Sequence, residues 1–444
     1  MILCSTNNKD SRYCLEQAVF TGLPPDNGLF MPLSIPQLSD TVIQNLQQQS
    51  LAEIAYTISS ALIGDEINSQ DLRAIVDNSI TFDAPLVNVH DNVFALELFH
   101  GPSLAFKDFG ARFMAALMSY YLARKNMKVN ILVATSGDTG SAVAQGFLNH
   151  PDISVTILYP SNKVSFIQEQ QLTTLGNNIT ALEIDGTFDD CQRLVKTAFL
   201  DKQINSKLNL ASANSINISR LIPQTFYYFY AYAQLKAKSI VVSVPCGNLG
   251  NLCAGVIAKK MGLPISQFIA STNINDVLPQ FLSCGKFMPH SSLQTISNAM
   301  DVGNPSNFAR LLHLYDNKLD LIRQDLHGKT FLDNQVKFIL QYVYDKYNYI
   351  LDPHGAIAYM GLIEYMANDT IANINTLSAN LKFNSEVYGV FLETAHPAKF
   401  IQDVESSIGV KIKLPNSLDE IVKKHKTAIR IKNNYAEFKD YILT

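Results

Sequence analysis

The sequence predicts an α/β fold with mainly parallel sheets, and two observations carry that reading. From about residue 90 onward, short β-branched runs alternate with amphipathic stretches, the pattern of strand-crossover-strand units. The polar, glycine-bearing motifs fall directly after those runs, where open α/β sheets gather their ligands. Val129–Ala134, Ser154–Leu158, Ile179–Ile184 and Ser239–Val244 are largely apolar, as strands covered on both faces must be. Helices are expected between them at 140–149, 164–175, 188–200 and 219–236, and the strand signal returns at 386–392. The first 85 residues read differently. Val42, Ile43 and Leu46, then Leu51, Ile54, Ala55 and Ile58, recur at helical spacing. Gly22–Pro32 reads as turn chemistry around an apolar plug. The expected division is a mostly helical N-terminal domain over 1–85, a small α/β domain over 115–229, and a large α/β domain built from 86–114 and 230–444.

A chain of 444 residues is long enough for two or three cores. Its 47% hydrophobic and 17% charged residues are those of an ordinary globular protein, not of a disordered or fibrous one. A net charge of -4 without a basic run argues against nucleic acid and against an anionic membrane surface. No apolar run reaches the roughly 18 to 20 residues of a membrane span, and the N-terminus lacks a secretory pattern. The six cysteines contain no C-x-x-C pair, so reduced thiols in the cytoplasm are expected and a metal site is not.

Four motifs carry candidate chemistry. His100–Arg112 sets Lys107 among apolar residues just ahead of a helix, and such a lysine can lose its proton readily enough to act as a nucleophile. The same residues also fit a lysine whose stem lies on the surface with its ammonium in water. Thr135–Ser141 follows a strand and opens a helix: its glycines let backbone amides approach an anion, and its hydroxyls can donate to one. A simple helix start, with Asp138 or Thr139 as N-cap, explains it equally well. Gly247, Asn248, Leu249, Gly250 and Asn251 suit a nest of amides around a phosphate, in neither dinucleotide-binding nor P-loop spacing. Asn214 and Ser215 supply amide and hydroxyl donors ahead of Arg220, whose guanidinium is suited to a phosphate. Thr394–Lys399 and Asp352–Gly355 are weak signals in isolation.

Taken together these segments are specific. His100–Gly110 around Lys107 resembles the cofactor-attachment signature of the threonine synthase family, within the fold type II enzymes that use pyridoxal 5′-phosphate (tryptophan synthase β-like). Gly22–Pro32, Thr135–Gly140, Gly247–Asn251 and Thr394–Lys399 match that family in the same order, so the resemblance runs from about residue 5 to residue 410. It implies conversion of O-phospho-L-homoserine and water to L-threonine and phosphate by a monomer or a homodimer. Lys107 would bind the cofactor covalently and later move protons. Gly247–Asn251 would cradle the cofactor phosphate, Thr394 would contact the pyridine nitrogen, and Asp138 would lie beside the 3′-oxygen. A carboxylate facing that oxygen repels it unless one of them is protonated, which leaves the role of Asp138 open. Thr135, Thr139, Asn214, Ser215, Arg220 and Asn251 would hold the substrate. Two alternatives stay open: a phospholyase of the same family that releases a 2-oxo acid, and a non-catalytic protein that binds the cofactor.

Overall fold

The computed structural model describes residues 1–235, 237, 239–367 and 387–444. The N-terminal periodicity produces helices as expected. Ser50 caps helix Leu51–Ile63 by accepting the Glu53 amide while the Glu53 carboxylate returns to the Ser50 amide. Leu51, Ile54, Ala55, Ile58 and Leu62 line its buried face. In front of these helices stand three short strands, β1 (Ile2–Ser5), β2 (Tyr13–Cys14) and β3 (Phe30–Pro32), antiparallel in the order β2-β1-β3. The apolar plug read as a turn thus ends in β3, whose Phe30 and Met31 are buried. Strands this short show no legible alternation.

The chain continues through β4 (Leu86–His90) and β5 (Val93–Glu97), then β6 (Val129–Ala134), β7 (Ile153–Pro160), β8 (Ile179–Asp185) and β9 (Leu210–Ser212). It closes with β10 (Ile240–Pro245), β11 (Ile265–Thr272), β12 (Leu326–Thr330), β13 (Tyr388–Glu393) and β14 (Ile429–Lys432). One sheet has the order β12-β11-β10-β13-β5-β4 and is parallel except for β4 against β5. The other, β14-β8-β7-β6-β9, is parallel throughout. All six residues of β10 are buried, as a covered parallel strand requires.

Helices Asp138–Phe147, Phe166–Thr173 and Phe188–Leu200 fall where the sequence put them. The expected helix 219–236 is broken. It consists of Ile218–Leu221, a tight 3₁₀ turn over Ile222–Thr225, and Phe226–Leu235, because Pro223 has no amide to donate and its ring crowds the preceding turn. Residues 236 and Glu386, at the ends of two expected elements, lie outside the described residues. One strand departs from the expected division of the chain: β14, within 230–444, pairs with β8 in the smaller sheet (Ile429↔Leu182, Ile431↔Ile184). Phe438 follows it into that sheet's core with no exposed surface. Two isoleucines separated by arginine gave no strand-length apolar run from which to foresee this. Among the described residues, no helix is long and apolar enough to cross a membrane.

Candidate active site

The motifs converge because their strands are neighbours. In the six-stranded sheet β10, β13 and β5 lie side by side and parallel, and their carboxyl ends lead into Cys246–Asn251, Thr394–Lys399 and His100–Lys107. In the five-stranded sheet the adjacent β6 and β9 lead into Thr135–Ser141 and Ala213–Arg220. The lysine segment is tied to its neighbour: the Phe106 amide donates to the Thr394 carbonyl at 2.8 Å and the His396 amide to that of Leu104 at 3.0 Å. Leu104 and Leu249, one in each of two motif loops, hold left-handed backbones at φ 58° and 61°. Bulky side chains avoid that region, and such strain gathers at functional sites.

Lys107 opens helix Lys107–Lys125 and lines a cleft of ≈ 250 Å³ with Ser136, Asp138, Thr139, Gln168, Asn298 and Ala299. Its Nζ lies 3.7 Å from Oδ2 of Asp138. Burial lowers the Lys107 pKa; Asp138 opposes that shift, and the charges of Lys399 and Arg220 add to it. The other oxygen of Asp138 is more tightly held. Oδ1 accepts from Lys399 Nζ at 2.8 Å and from Gln168 Nε2 at 3.0 Å. Burial alone would raise the Asp138 pKa, but the Lys399 and Lys107 charges and these hydrogen bonds override it and hold the carboxylate well below its usual range. Asp138 is an anion here. It is also the first residue of helix Asp138–Phe147 and not its cap, which is Gly137. The capping work falls to Thr135, whose hydroxyl accepts the Gly137 and Gly140 amides at 3.0 and 2.8 Å.

The Gly247–Asn251 loop has donors to spare. Among the described residues, the amides of Gly247, Asn248, Leu249 and Gly250 meet no acceptor at the start of helix Gly250–Lys260. Asn251 takes the Tyr227 and Tyr228 hydroxyls on Oδ1, both at 2.7 Å, which leaves its buried Nδ2 without an acceptor. A Cβ on Gly247 would stand 2.9 Å from Met300 Cα and 3.0 Å from the Ala299 carbonyl oxygen, so only glycine fits there. Free amides, a helix N-terminus and an orphaned carboxamide are what a phosphate needs. The residues present fit pyridoxal phosphate.

Arg220 is buried without a carboxylate partner. It is 2% exposed, its Nη1 donates to the Ala213 carbonyl at 2.6 Å, and its Nε has no partner. Burial lowers its pKa to about 10, which still leaves it charged at neutral pH. Glycine at 110 makes room for it, since a Cβ there would lie 3.2 Å from that Nε. Ser215 Oγ accepts from Asn248 Nδ2 at 2.7 Å, linking the Arg220 loop to the amide loop. Thr139 faces the cleft with Lys107. Asn214 uses its backbone to shape the turn, its carbonyl accepting the Asn217 amide at 3.1 Å. Thr394 is 6% exposed at the end of β13.

Three groups at the site carried no assigned role in the sequence. Lys399 was visible only as the end of a motif, Gln168 only as a position within the expected helix 164–175, and Asn298–Ala299 not at all. A wholly buried lysine is the signal that matters, and burial of that kind comes from the fold.

Models of known families match nearly the whole chain. "Threonine synthase N terminus" covers residues 3–80, "Pyridoxal-phosphate dependent enzyme" 82–375 and "Threonine synthase, C-terminal" 375–442. A threonine synthase of Haemophilus influenzae is 44% identical over 448 residues, covering 100% of both chains. The crystal structure of threonine synthase from Escherichia coli superposes with a TM-score of 0.89 at 40% identity, covering 100% of this chain and 99% of that one. A structure titled as PLP-bound threonine synthase from Brucella melitensis gives 0.91 at 33% identity, covering 100% and 98%. With Lys107, the amide loop and Thr394 brought together on a matching fold, the chain belongs to the threonine synthase family of pyridoxal-phosphate-dependent enzymes.

Proposed function

We propose that this protein converts O-phospho-L-homoserine and water to L-threonine and phosphate. The observation that carries the reading is the pairing of two anion sites of different kinds around one lysine. Beside Lys107 stand a neutral nest of amides at Gly247–Gly250 and a buried, unpaired guanidinium at Arg220. The amides suit a phosphate that never leaves, that of the cofactor. The guanidinium suits one that must bind and depart. When bound, the cofactor supplies an electron-withdrawing ring that stabilises negative charge at the substrate carbons.

The protein's own groups do the rest. Lys107 Nζ would hold the cofactor and would accept and return the substrate's Cα proton. Its lowered pKa suits a group that must shed and regain a proton near neutrality. Asp138 would lie beside the 3′-oxygen, and its charge is already compensated by Lys399, which eases the repulsion that its sequence position implied. The Thr394 hydroxyl would contact the ring nitrogen without drawing a proton onto it as a carboxylate would. Arg220, with Thr139, Ser215, Asn214 and Asn251, holds the substrate's phosphate and carboxylate. Thr135 acts one step back by shaping the loop, its hydroxyl already engaged there. Over the cycle the Cγ–O bond to phosphate breaks, Cβ loses a proton and takes the hydroxyl of water, Cγ gains a proton, and the proton left from water goes to the departing phosphate. A cytoplasmic location completes the reading, supported by six free cysteines.

Purified protein loaded with cofactor should release phosphate and threonine in equal amounts from O-phospho-L-homoserine. Release of a 2-oxo acid in place of threonine makes it a phospholyase, and release of neither leaves a binding protein.

A further inference from the structure

Behind Thr394 lies a group of ionisable side chains that the reaction does not use. Glu393, Asp352 and His354 are 0%, 0% and 2% exposed. Asp352 caps helix Pro353–Met366, accepting the His354 and Gly355 amides at 2.8 and 3.4 Å. Its Oδ1 also takes His354 Nδ1 at 2.5 Å. On the far side of that ring, Nε2 accepts the Ala299 amide at 3.2 Å. An amide can only donate, so Nε2 carries no proton and Nδ1 does. Glu393 reaches the same place from β13: its Oε2 accepts the Asp352 amide at 3.4 Å, so its carboxyl faces the Asp352 charge. Its Oε1 is buried without a hydrogen-bond partner, and Gly355 gives it room, for a Cβ there would collide with that oxygen.

Two buried carboxyl groups that face each other do not both keep a charge, and the donors around these two are unequal. The helix N-terminus, the His354 ring N–H and two amides all stabilise the anion at Asp352. Glu393 has only an amide and faces the Asp352 charge, with Glu97 beyond. Burial and then Asp352 raise its pKa well above the ordinary carboxyl value, whereas that of Asp352 falls: burial opposes the fall, and His354 overrides burial.

We infer that Glu393, Asp352 and His354 are positioning residues, a buried strut with its negative charge on Asp352 and a proton on Glu393, which fixes both the strand end carrying Thr394 and the turn carrying Ala299. Each end of the strut reaches the site. Glu393 immediately precedes Thr394, and its carbonyl accepts the Leu98 amide at 2.9 Å on the strand leading to Lys107. Ala299 lines the Lys107 cleft, and its carbonyl and Met300 abut Gly247 in the amide loop. The turn is held from its other side too, by Asp301, whose carboxylate accepts Thr295 Oγ1 at 2.7 Å and Asn273 Nδ2 at 2.9 Å. The inference rests on Thr394 and Gly247 being cofactor contacts; the placement of the proton does not.

The test compares Glu393→Gln with Asp352→Asn. Gln is a neutral donor of the same shape, so it replaces a protonated Glu but not an ionised one. Asn still caps the helix, so Asp352→Asn removes chiefly the charge. Infrared difference spectra of wild type against Glu393→Gln should lose a protonated-carboxyl C=O band. That variant should keep cofactor affinity and kcat/KM within about threefold of wild type. Asp352→Asn should weaken cofactor binding and lower kcat/KM by about tenfold or more, the scale of one buried charged hydrogen bond, with circular dichroism unchanged. A band that persists in Glu393→Gln, or a Glu393→Gln that fails to fold or falls as far as Asp352→Asn, overturns the inference. So does an Asp352→Asn that binds cofactor and turns over as wild type does. Failure of wild type itself to bind pyridoxal phosphate would instead overturn the assignment of the site, and the infrared result would stand apart from it.

Discussion

Lys399 donates to Oδ1 of Asp138 at 2.8 Å, and both side chains are sealed from water, at 0% and 4% exposure. The consequence concerns Lys107, which must change its charge during turnover. Because a second lysine already compensates Asp138, Lys107 is not the cation on which that carboxylate depends. Lys399→Met removes the compensation and leaves a buried anion facing Lys107 alone. Breaking a buried pair from one side costs about 3–5 kcal/mol, so the melting temperature should fall. Lys107 should then keep its proton, with a reduced kcat and a shifted cofactor band, while Lys399→Arg keeps most of both. Unchanged kcat in a folded Lys399→Met would show that the pair is structural only.

The covalent link is tested directly. The loaded protein should be yellow, and borohydride should remove the band and leave the label on the peptide containing Lys107. Lys107→Ala should still bind cofactor through Gly247–Asn251 but lose several orders of magnitude in turnover, having lost both anchor and proton carrier. Label on any other lysine would sink the assignment.

Arg220 separates the two phosphates. Arg220→Ala should lower kcat/KM for O-phospho-L-homoserine by about ten- to a hundredfold, the worth of a charged hydrogen bond of about 1.5–3 kcal/mol, with cofactor affinity nearly constant. Plain homoserine should be a poor substrate of the wild type, because it leaves the guanidinium buried and unpaired. If Arg220 merely packs the helix, stability falls and kcat/KM does not. Both quantities should be measured on the same variant.

Thr394→Asp should place a charge where the ring nitrogen needs none. A shifted cofactor spectrum or a rise in abortive transamination is the expected sign, with cofactor still bound. A variant identical to wild type in spectrum, partition and rate would remove Thr394 from the ring.

Asp108, next to Lys107, predicts a pH effect on stability. Burial raises its pKa from 3.8 to about 6, against the opposing hydrogen bonds from Ser103. The folded carboxyl therefore binds its proton more tightly than the unfolded one. Its contribution is fully present below about pH 4 and is lost as pH rises through about 6, amounting to about 3 kcal/mol. Asp108→Asn keeps an acceptor for the Ser103 amide, which Asp108 Oδ2 now takes at 2.8 Å. Melts across pH 4 to 8 should show the variant gaining on wild type as pH rises. Parallel curves would refute the shift.

Much of the site was legible because its motifs are local. A glycine-rich run after an apolar run states both the strand and the loop that follows it, and Lys107 stands out among apolar neighbours. What was not legible depends on which segments meet. Lys399 and Gln168 both reach Asp138, but they come from different parts of the chain, and nothing in either segment names the other. The same holds for Asp352 and Glu393: Asp352–Gly355 is a weak signal in isolation, and nothing in it names the strand end that meets it. Thr135 shows a subtler limit: the sequence offers its hydroxyl to a ligand but does not reveal that the Gly137 and Gly140 amides also claim it.

The return of β14 to β8 bears on how the chain is made. During synthesis, residues 129–212 can form β6 to β9 long before 429–432 leave the ribosome, so one rim of that sheet waits with unpaired amides and carbonyls. Such a rim is an invitation to other nascent chains. Its eventual cover is also clamped by charge: Lys426 reaches Glu169 and Glu183 at 2.7 and 2.6 Å, and Lys439 reaches Asp201 at 2.7 Å. Cutting the chain ahead of residue 426 leaves every group of the active site in place and yet should yield a protein that aggregates, with inclusion bodies rather than a slow enzyme as the visible result.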